Sequence, residues 1–148
     1  MTQHVDPRVQ RVIELFETLS ELDIARLDGF YQSAARFKDP FNDVVGVPAI
    51  QGIFRHMFKA LDGPRFVITD AFAQGNQAML TWDFHFRMRR FSTQPQVIRG
   101  STHLRSQRFA PDGRISLHRD YWDPAEELYE KLPLIGALMR WLKRRANR

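Results

Sequence analysis

Apolar side chains recur at three- and four-residue intervals through the first part of the chain, and give way to runs rich in β-branched and aromatic residues in the second. The two periods predict helices followed by strands. Asp6-Pro7 offers an N-cap followed by proline at the first helical position, and Val9, Val12, Ile13, Phe16 and Leu19 continue at helical spacing. A second helix is predicted to start near Ser20 or Asp23 and to carry Ile24, Leu27, Phe30, Tyr31 and Ala34, with Gly29 a mild interruption. Proline disfavours helix at the residue before it, so Asp39 in Arg36-Phe37-Lys38-Asp39-Pro40 is predicted to be extended. A third helix starts near Pro48, shows Ile50, Ile53, Phe54, Met57, Phe58 and Leu61, and stops at Asp62-Gly63-Pro64.

Four strands are predicted at 65–73, 77–91, 96–109 and 113–122. Their separators are Gln74-Gly75-Asn76, Ser92-Thr93-Gln94-Pro95 and Ala110-Pro111-Asp112-Gly113, short enough to imply antiparallel neighbours. Long twisted strands tend to curl. The expected fold class is therefore α+β: a cone-shaped roll in which a curved antiparallel sheet wraps on three N-terminal helices. Asp123-Pro124 caps a further helix through Leu132, Pro133 breaks it, and a last amphipathic helix runs from Leu134 to about Ala146.

Composition narrows the class. The chain has 148 residues, the size of one domain, and at 43% hydrophobic and 26% charged it is globular rather than disordered. Apolar runs are too short for a transmembrane helix, and the N-terminus lacks the pattern of a secretory signal. There is no cysteine, which removes disulfides, thiolate catalysis and thiolate metal sites. Net charge is +5, but Arg140, Lys143, Arg144, Arg145 and Arg148 supply five of the 22 basic residues, so the remaining 17 balance the 17 acidic ones. A basic tail on a neutral body argues against a nucleic-acid partner. The cytoplasm is the expected location.

Three local motifs, in order, resemble the nuclear transport factor 2-like superfamily, in particular its SnoaL-like and ketosteroid-isomerase-like members. They are Asp23-Ile24 with Phe30-Tyr31 and then Phe37-Lys38-Asp39-Pro40-Phe41; Arg108-Phe109-Ala110-Pro111-Asp112-Gly113-Arg114-Ile115; and Tyr121-Trp122. The resemblance covers residues 8 to 131 and implies a pocket inside the cone and a homodimer formed through the outer sheet face. It implies that Asp39 stands where the isomerases keep their general base, and that Tyr31 joins the hydrogen-bond network of the pocket. The isomerases also clamp an oxyanion with a Tyr and a protonated Asp. Leu15 and Arg105 stand near those positions here, which speaks against classical steroid isomerisation.

Strand alternation adds candidates. In the family register His103, Arg105, His118, Asp120 and Trp122 would point inward with Asp39, and Arg105 would pair with Asp120 or Asp39. The catalytic candidates are therefore Asp39, His103, Asp120, His118 and Arg105. A carboxylate and an imidazole in one enclosed site can move protons near neutral pH, and an arginine can support an enolate. The alternative is a cross-strand pair that only holds the sheet. Tyr31, Trp122, Phe54, Phe58 and Trp82 are the substrate-binding candidates. On the second strand Trp82, Phe84, Phe86 and Met88 share one face and Asp83, His85 and Arg87 the other; which face is inward stays open. No metal is expected, since nothing has His-Glu-x-x-His spacing, and no cofactor is expected. The expected function is that of a small-molecule pocket protein doing acid–base chemistry of isomerase, cyclase, dehydratase or hydrolase type on a small hydrophobic or carbonyl-containing substrate. The alternative is a non-catalytic ligand-binding or dimeric interaction module.

The chain divides into a domain at 1–132 and a basic amphipathic helix at 133–148. On a helical wheel Leu134, Ile135, Leu138, Met139, Trp141 and Leu142 form one arc, with only Arg145 intruding among the basic residues. Such a helix suits either docking on its own domain or a dimer mate, or peripheral contact with an anionic membrane.

Overall fold

The computed structural model describes residues 6–90, 94–106, 113–128 and 133–147. Helix α1 (Pro7–Glu17) begins at the expected proline. A one-turn helix, α2 (Glu21–Ile24), and a 3-10 turn at Leu27–Gly29 follow. Next come β1 (Tyr31–Lys38), β2 (Asp43–Val45) and α3 (Val47–Ala60). Four strands complete the sheet: β3 (Leu61–Gln74), β4 (Gln77–Met88), β5 (Gln96–Ser106) and β6 (Ile115–Tyr121). Short α4 (Pro124–Glu127) is capped by the Asp123 carboxylate, which accepts from the Ala125 and Glu126 amides, and α5 (Pro133–Ala146) ends the chain. The expected strand end at 107–109 and helix end at 129–132 lie outside the described residues.

The α+β class stands, but the cone does not. The six strands form one open, mixed sheet in the order β2-β1-β6-β5-β4-β3, whose edges β2 and β3 do not meet. It is neither closed nor strongly curled, and β1 runs parallel to β6. Nor are there three N-terminal helices of comparable weight, because the predicted second helix is a single turn. Its apolar spacing was misleading for a physical reason. Tyr31, Ala35 and Phe37 are the buried positions of β1, and the pairing with β6 shifts between Tyr31 and Arg36. That irregularity stretches one strand repeat from two residues to four, which imitates a helix. The Asp62-Gly63-Pro64 stop ends α3 but starts β3, as an irregularity in its ladder with β4.

Helices and sheet share one core. Val9, Val12, Ile13, Leu15 and Phe16 of α1 and Val47, Ile50 and Phe54 of α3 are buried, with α1 on β3 and α3 on β3 and β1. The sheet meets them with Ala35, Phe37, Ala78, Leu80, Trp82, Phe86, Ile98, Leu104 and Ile115. Register settles what β4 left open. Gln74 pairs with Gln77 across a two-residue turn that needs Gly75 at φ +58, and Leu80, Trp82 and Phe84 sit opposite Thr102, Gly100 and Ile98. The apolar side of β4 thus faces the helices, and Asp83, His85 and Arg87 face away.

Candidate functional site

The site grows from the pairing of β5 with β6. Thr102 lies opposite Asp120, and Leu104 opposite His118, so these four side chains face the core. His103 and Arg105 lie opposite Arg119 and Leu117, on the outer face. This corrects the expected grouping: His118 and Asp120 point inward, but His103 and Arg105 do not join them, and Arg105 pairs with neither Asp120 nor Asp39. Exposed Arg105 lines a separate shallow cleft with Asn76, Gln77, Ser106 and Ser116. The His103 ring meets the Gln77 side chain at 3.0 Å. Its imidazole is held below its ordinary pKa by partial burial, then by the charges of Arg105 and Arg119.

Inside, five side chains from four strands form one continuous hydrogen-bond chain. The Trp82 indole N–H donates to Thr102 Oγ1 at 2.7 Å, and the Thr102 hydroxyl donates to Asp120 Oδ1 at 2.6 Å. His118 Nε2 contacts the same Oδ1 at 2.7 Å, and Tyr31 Oη lies 2.7 Å from His118 Nδ1. Burial pushes the Tyr31 phenol well above its ordinary pKa, and the negative charge of Asp120 pushes it further, so the hydroxyl keeps its proton and donates. The carboxylate only accepts, so Nε2 carries a proton directed at it, and in the neutral ring Nδ1 accepts from the Tyr31 hydroxyl. Thr102 stood outside the sequence-derived candidates. The even-to-even register across the hairpin is the signal that finds it, and that register is not visible in alternation along one strand.

The imidazole is walled by rings. Phe37, its neighbour across the parallel pair, lies 4.5 Å away between centroids; Phe16 meets it edge-on at 5.4 Å; Tyr31 stacks at 5.9 Å. Phe16, Phe54, Phe66, Ile68, Leu80, Trp82, Thr102, His118 and Asp120 surround a cavity of about 20 Å³. That is room for about one water molecule. Phe54 and Trp82 stand at this inner cavity, whereas Phe58 lies in a different surface cleft with Ile24, Arg55 and Arg89.

Asp120 also borders a much larger groove of about 780 Å³, together with Lys38, Asp39, Phe41, Arg119 and Trp122. Phe41 and Trp122 meet edge to face at 5.4 Å on its wall. Asp39 is thus brought to the same groove as Asp120 and Trp122. Its carboxylate is occupied: Oδ1 accepts from the amides of Phe41 and Asn42 at 2.8 and 2.6 Å, and the Asn42 side-chain amide reaches both oxygens. These bonds close the β1–β2 turn. Asp120 differs. Its Oδ1 takes both neighbours, while Oδ2 accepts no hydrogen bond among the described residues and is not sealed from solvent. Among the described residues no group of three or more His, Asp or Glu side chains is close enough to share a metal ion.

Solved structures with this fold include a protein of ketosteroid-isomerase-like fold from Catenulispora acidiphila in complex with trimethylamine, at 15% identity over 84% of this chain and 91% of that one, with a TM-score of 0.68. A protein put forward as a SnoaL-like polyketide cyclase from Shewanella putrefaciens aligns at 18% identity over 84% and 97%, also at 0.68. An NTF2-like protein of unknown function from Burkholderia pseudomallei aligns at 15% identity over 82% and 95%, again at 0.68. At these identities the likeness is one of fold. No curated protein matches in sequence. The sequence profile of the SnoaL-like domain matches residues 12–118, most of the chain and nearly the whole sheet. The chain shares its fold with ketosteroid-isomerase-like and NTF2-like proteins, and it belongs to the SnoaL-like family.

Proposed function

We propose that the chain catalyses proton transfer on a small carbonyl-containing substrate bound in the groove, with Asp120 as the group that takes and returns the proton. The observation that carries this reading is the asymmetry of that carboxylate. One oxygen is held by Thr102 and His118, and the other is open at the junction of groove and core. A base whose orientation is fixed by its neighbours needs no reorganisation when it reacts. Oδ2 takes a proton from the carbon next to a carbonyl, the C–H electron pair passes into the enolate, and the proton returns to another atom. Return to a different carbon is an isomerisation; attack of the enolate carbon on a second carbonyl, with protonation of the resulting alkoxide, is a cyclisation. Lys38 and Arg119 are the cations available to an enolate oxygen in a groove lining that also holds Asp39, Asp43 and Asp123, and Lys38 lies 3.8 Å from Asp43. Phe41 and Trp122 suit a flat, partly apolar substrate. Asp39 holds the turn that forms the groove wall.

The test is exchange of substrate C–H with deuterated solvent across a panel of small 1,3-dicarbonyl and α,β-unsaturated ketone compounds. Asp120→Asn is expected to lower exchange by at least about a hundredfold, and Asp39→Asn by much less. Equal losses in both variants, with the fold intact, would move the base to Asp39. Exchange unaffected by either would leave the second reading, a non-catalytic interaction module, which the nearly filled interior of about 20 Å³ favours.

A further inference from the structure

We propose that α5 is a membrane-surface anchor that lies in the plane of an anionic lipid bilayer. Three observations converge on it. First, its apolar arc is exposed at the side chains that the structure describes. Leu138, Trp141 and Leu142 are 51%, 45% and 45% exposed, and α5 makes no substantial contact with any helix or strand of the body among the described residues. Their own domain does not cover these three side chains. Second, the positive charge is concentrated here. Arg140, Lys143, Arg144, Arg145 and Arg148 lie in a segment without one acidic residue, while the rest of the chain is balanced. On the helix Lys143 and Arg144 stand at the two borders of the arc, where lysine and arginine stems reach from apolar depth to headgroup level. Third, the one cation that falls within the arc is accommodated. The Arg145 guanidinium lies over the Trp141 ring at 5.1 Å, so its stem follows the indole and its charge sits at the interface with it.

The geometry selects a bilayer surface over other occupants. A second α5 would bring two clusters of cations together without an acid between them. Insertion across the membrane is not available either, because α5 has 14 residues and no helix among the described residues is long and apolar enough to cross. A tryptophan flanked by leucines and bordered by cations matches the layered polarity of an anionic headgroup region. The inference is independent of the proton-transfer reading, since no described residue of α5 lines the groove or the inner cavity.

The experiment is co-sedimentation of the full chain with vesicles of phosphatidylcholine alone or mixed with phosphatidylglycerol. Binding is expected to be about tenfold or more tighter with the anionic lipid, and to weaken as salt is raised. The double variant Leu138→Glu/Leu142→Glu changes only exposed positions and is expected to lose binding by a similar factor, with an unchanged circular dichroism melting curve. Lipids brominated in the acyl chain should quench emission from the bound wild type and much less from Trp141→Phe. Equal binding to neutral and anionic vesicles, no binding to either, or full binding by the double variant would overturn the proposal. So would self-association through α5 that competes with vesicles.

Discussion

The Tyr31 hydroxyl meets His118 Nδ1 across 2.7 Å, although 87 residues separate the two. The parallel pairing of β1 with β6 makes this possible, by setting the first buried side chain of β1 in reach of an imidazole on β6. Both side chains are buried, Tyr31 completely. The bond completes the His118 arm of the network, while Trp82 and Thr102 reach the same carboxylate from the other side.

Removing the hydroxyl should be felt as stability first. Tyr31→Phe keeps the ring but leaves a buried nitrogen acceptor without its donor, at a cost of about 1–3 kcal/mol. Denaturant unfolding reads this as a lower midpoint at unchanged slope. The proton-transfer rate should fall less than in Asp120→Asn, because Tyr31 acts on Asp120 only by orienting His118.

The same hydroxyl makes the protein sensitive to alkali. Below about pH 10 the folded and unfolded chains both hold the Tyr31 proton; above it the unfolded chain releases the proton while the folded chain, whose pKa is raised by burial and by Asp120, does not. The unfolded state then binds fewer protons, so stability falls as pH rises above about 10, until the buried hydroxyl itself ionises. Tyr31→Phe should flatten this part of the stability profile while leaving the acid side unchanged. Equilibrium unfolding at several pH values measures both.

The sequence showed the order of elements, the hairpin separators and the two carboxylates of the groove. Helix α1 and strands β3 to β6 were legible because each keeps one period over most of its length. Residues 31–34 were not, because the start of an irregular strand with buried positions 31, 35 and 37 looks helical over a short window. His118 and Asp120 could be placed together, since they are two apart on one strand. His103 and Arg105 could not be placed relative to them, because a hairpin register is a relation between strands, and a slip of one residue inverts a face. Open sheet against cone was decided the same way: strand length shows that a sheet can curl, whereas closure depends on whether the edges meet.

One glycine holds the tryptophan end of the hydrogen-bond chain in place. Trp82 lies across Gly100 in register, and a Cβ added there would stand 2.5 and 2.7 Å from the indole Cη2 and Cζ2 and 2.9 Å from the Tyr121 carbonyl oxygen. The carbonyl belongs to a neighbouring strand and cannot give way freely, so the indole must move. Gly100→Ala is expected to destabilise by about 1–3 kcal/mol through overpacking. It should also shift the tryptophan emission as Nε1 leaves Thr102. A melting curve and spectrum identical to wild type would show that the indole is not seated as described.

The nearly filled interior makes a last, opposite prediction. Phe16 is 5% exposed and contributes its ring to the group formed by Phe54, Phe66 and His118. Truncating it removes the α1 side of the inner cavity wall, and Phe16→Ala should cost about 3–5 kcal/mol because the packed rings around it can collapse only in part. The void would join the existing space of about 20 Å³ beside His118 and Asp120, and would be lined mostly by apolar side chains. Such a void takes up small apolar molecules. Indole or toluene should therefore raise the melting temperature of Phe16→Ala in a saturable way, while wild type, which has no room, stays unchanged; Phe16→Leu is expected to behave in between. Binding to the folded state alone stabilises it in proportion to the logarithm of ligand over dissociation constant, so the titration yields an affinity as well as a yes or no. An equal shift in wild type would mean that Phe16 and its neighbours already swing aside for a ligand, and the inner cavity, rather than the groove, would then be where substrate meets Asp120.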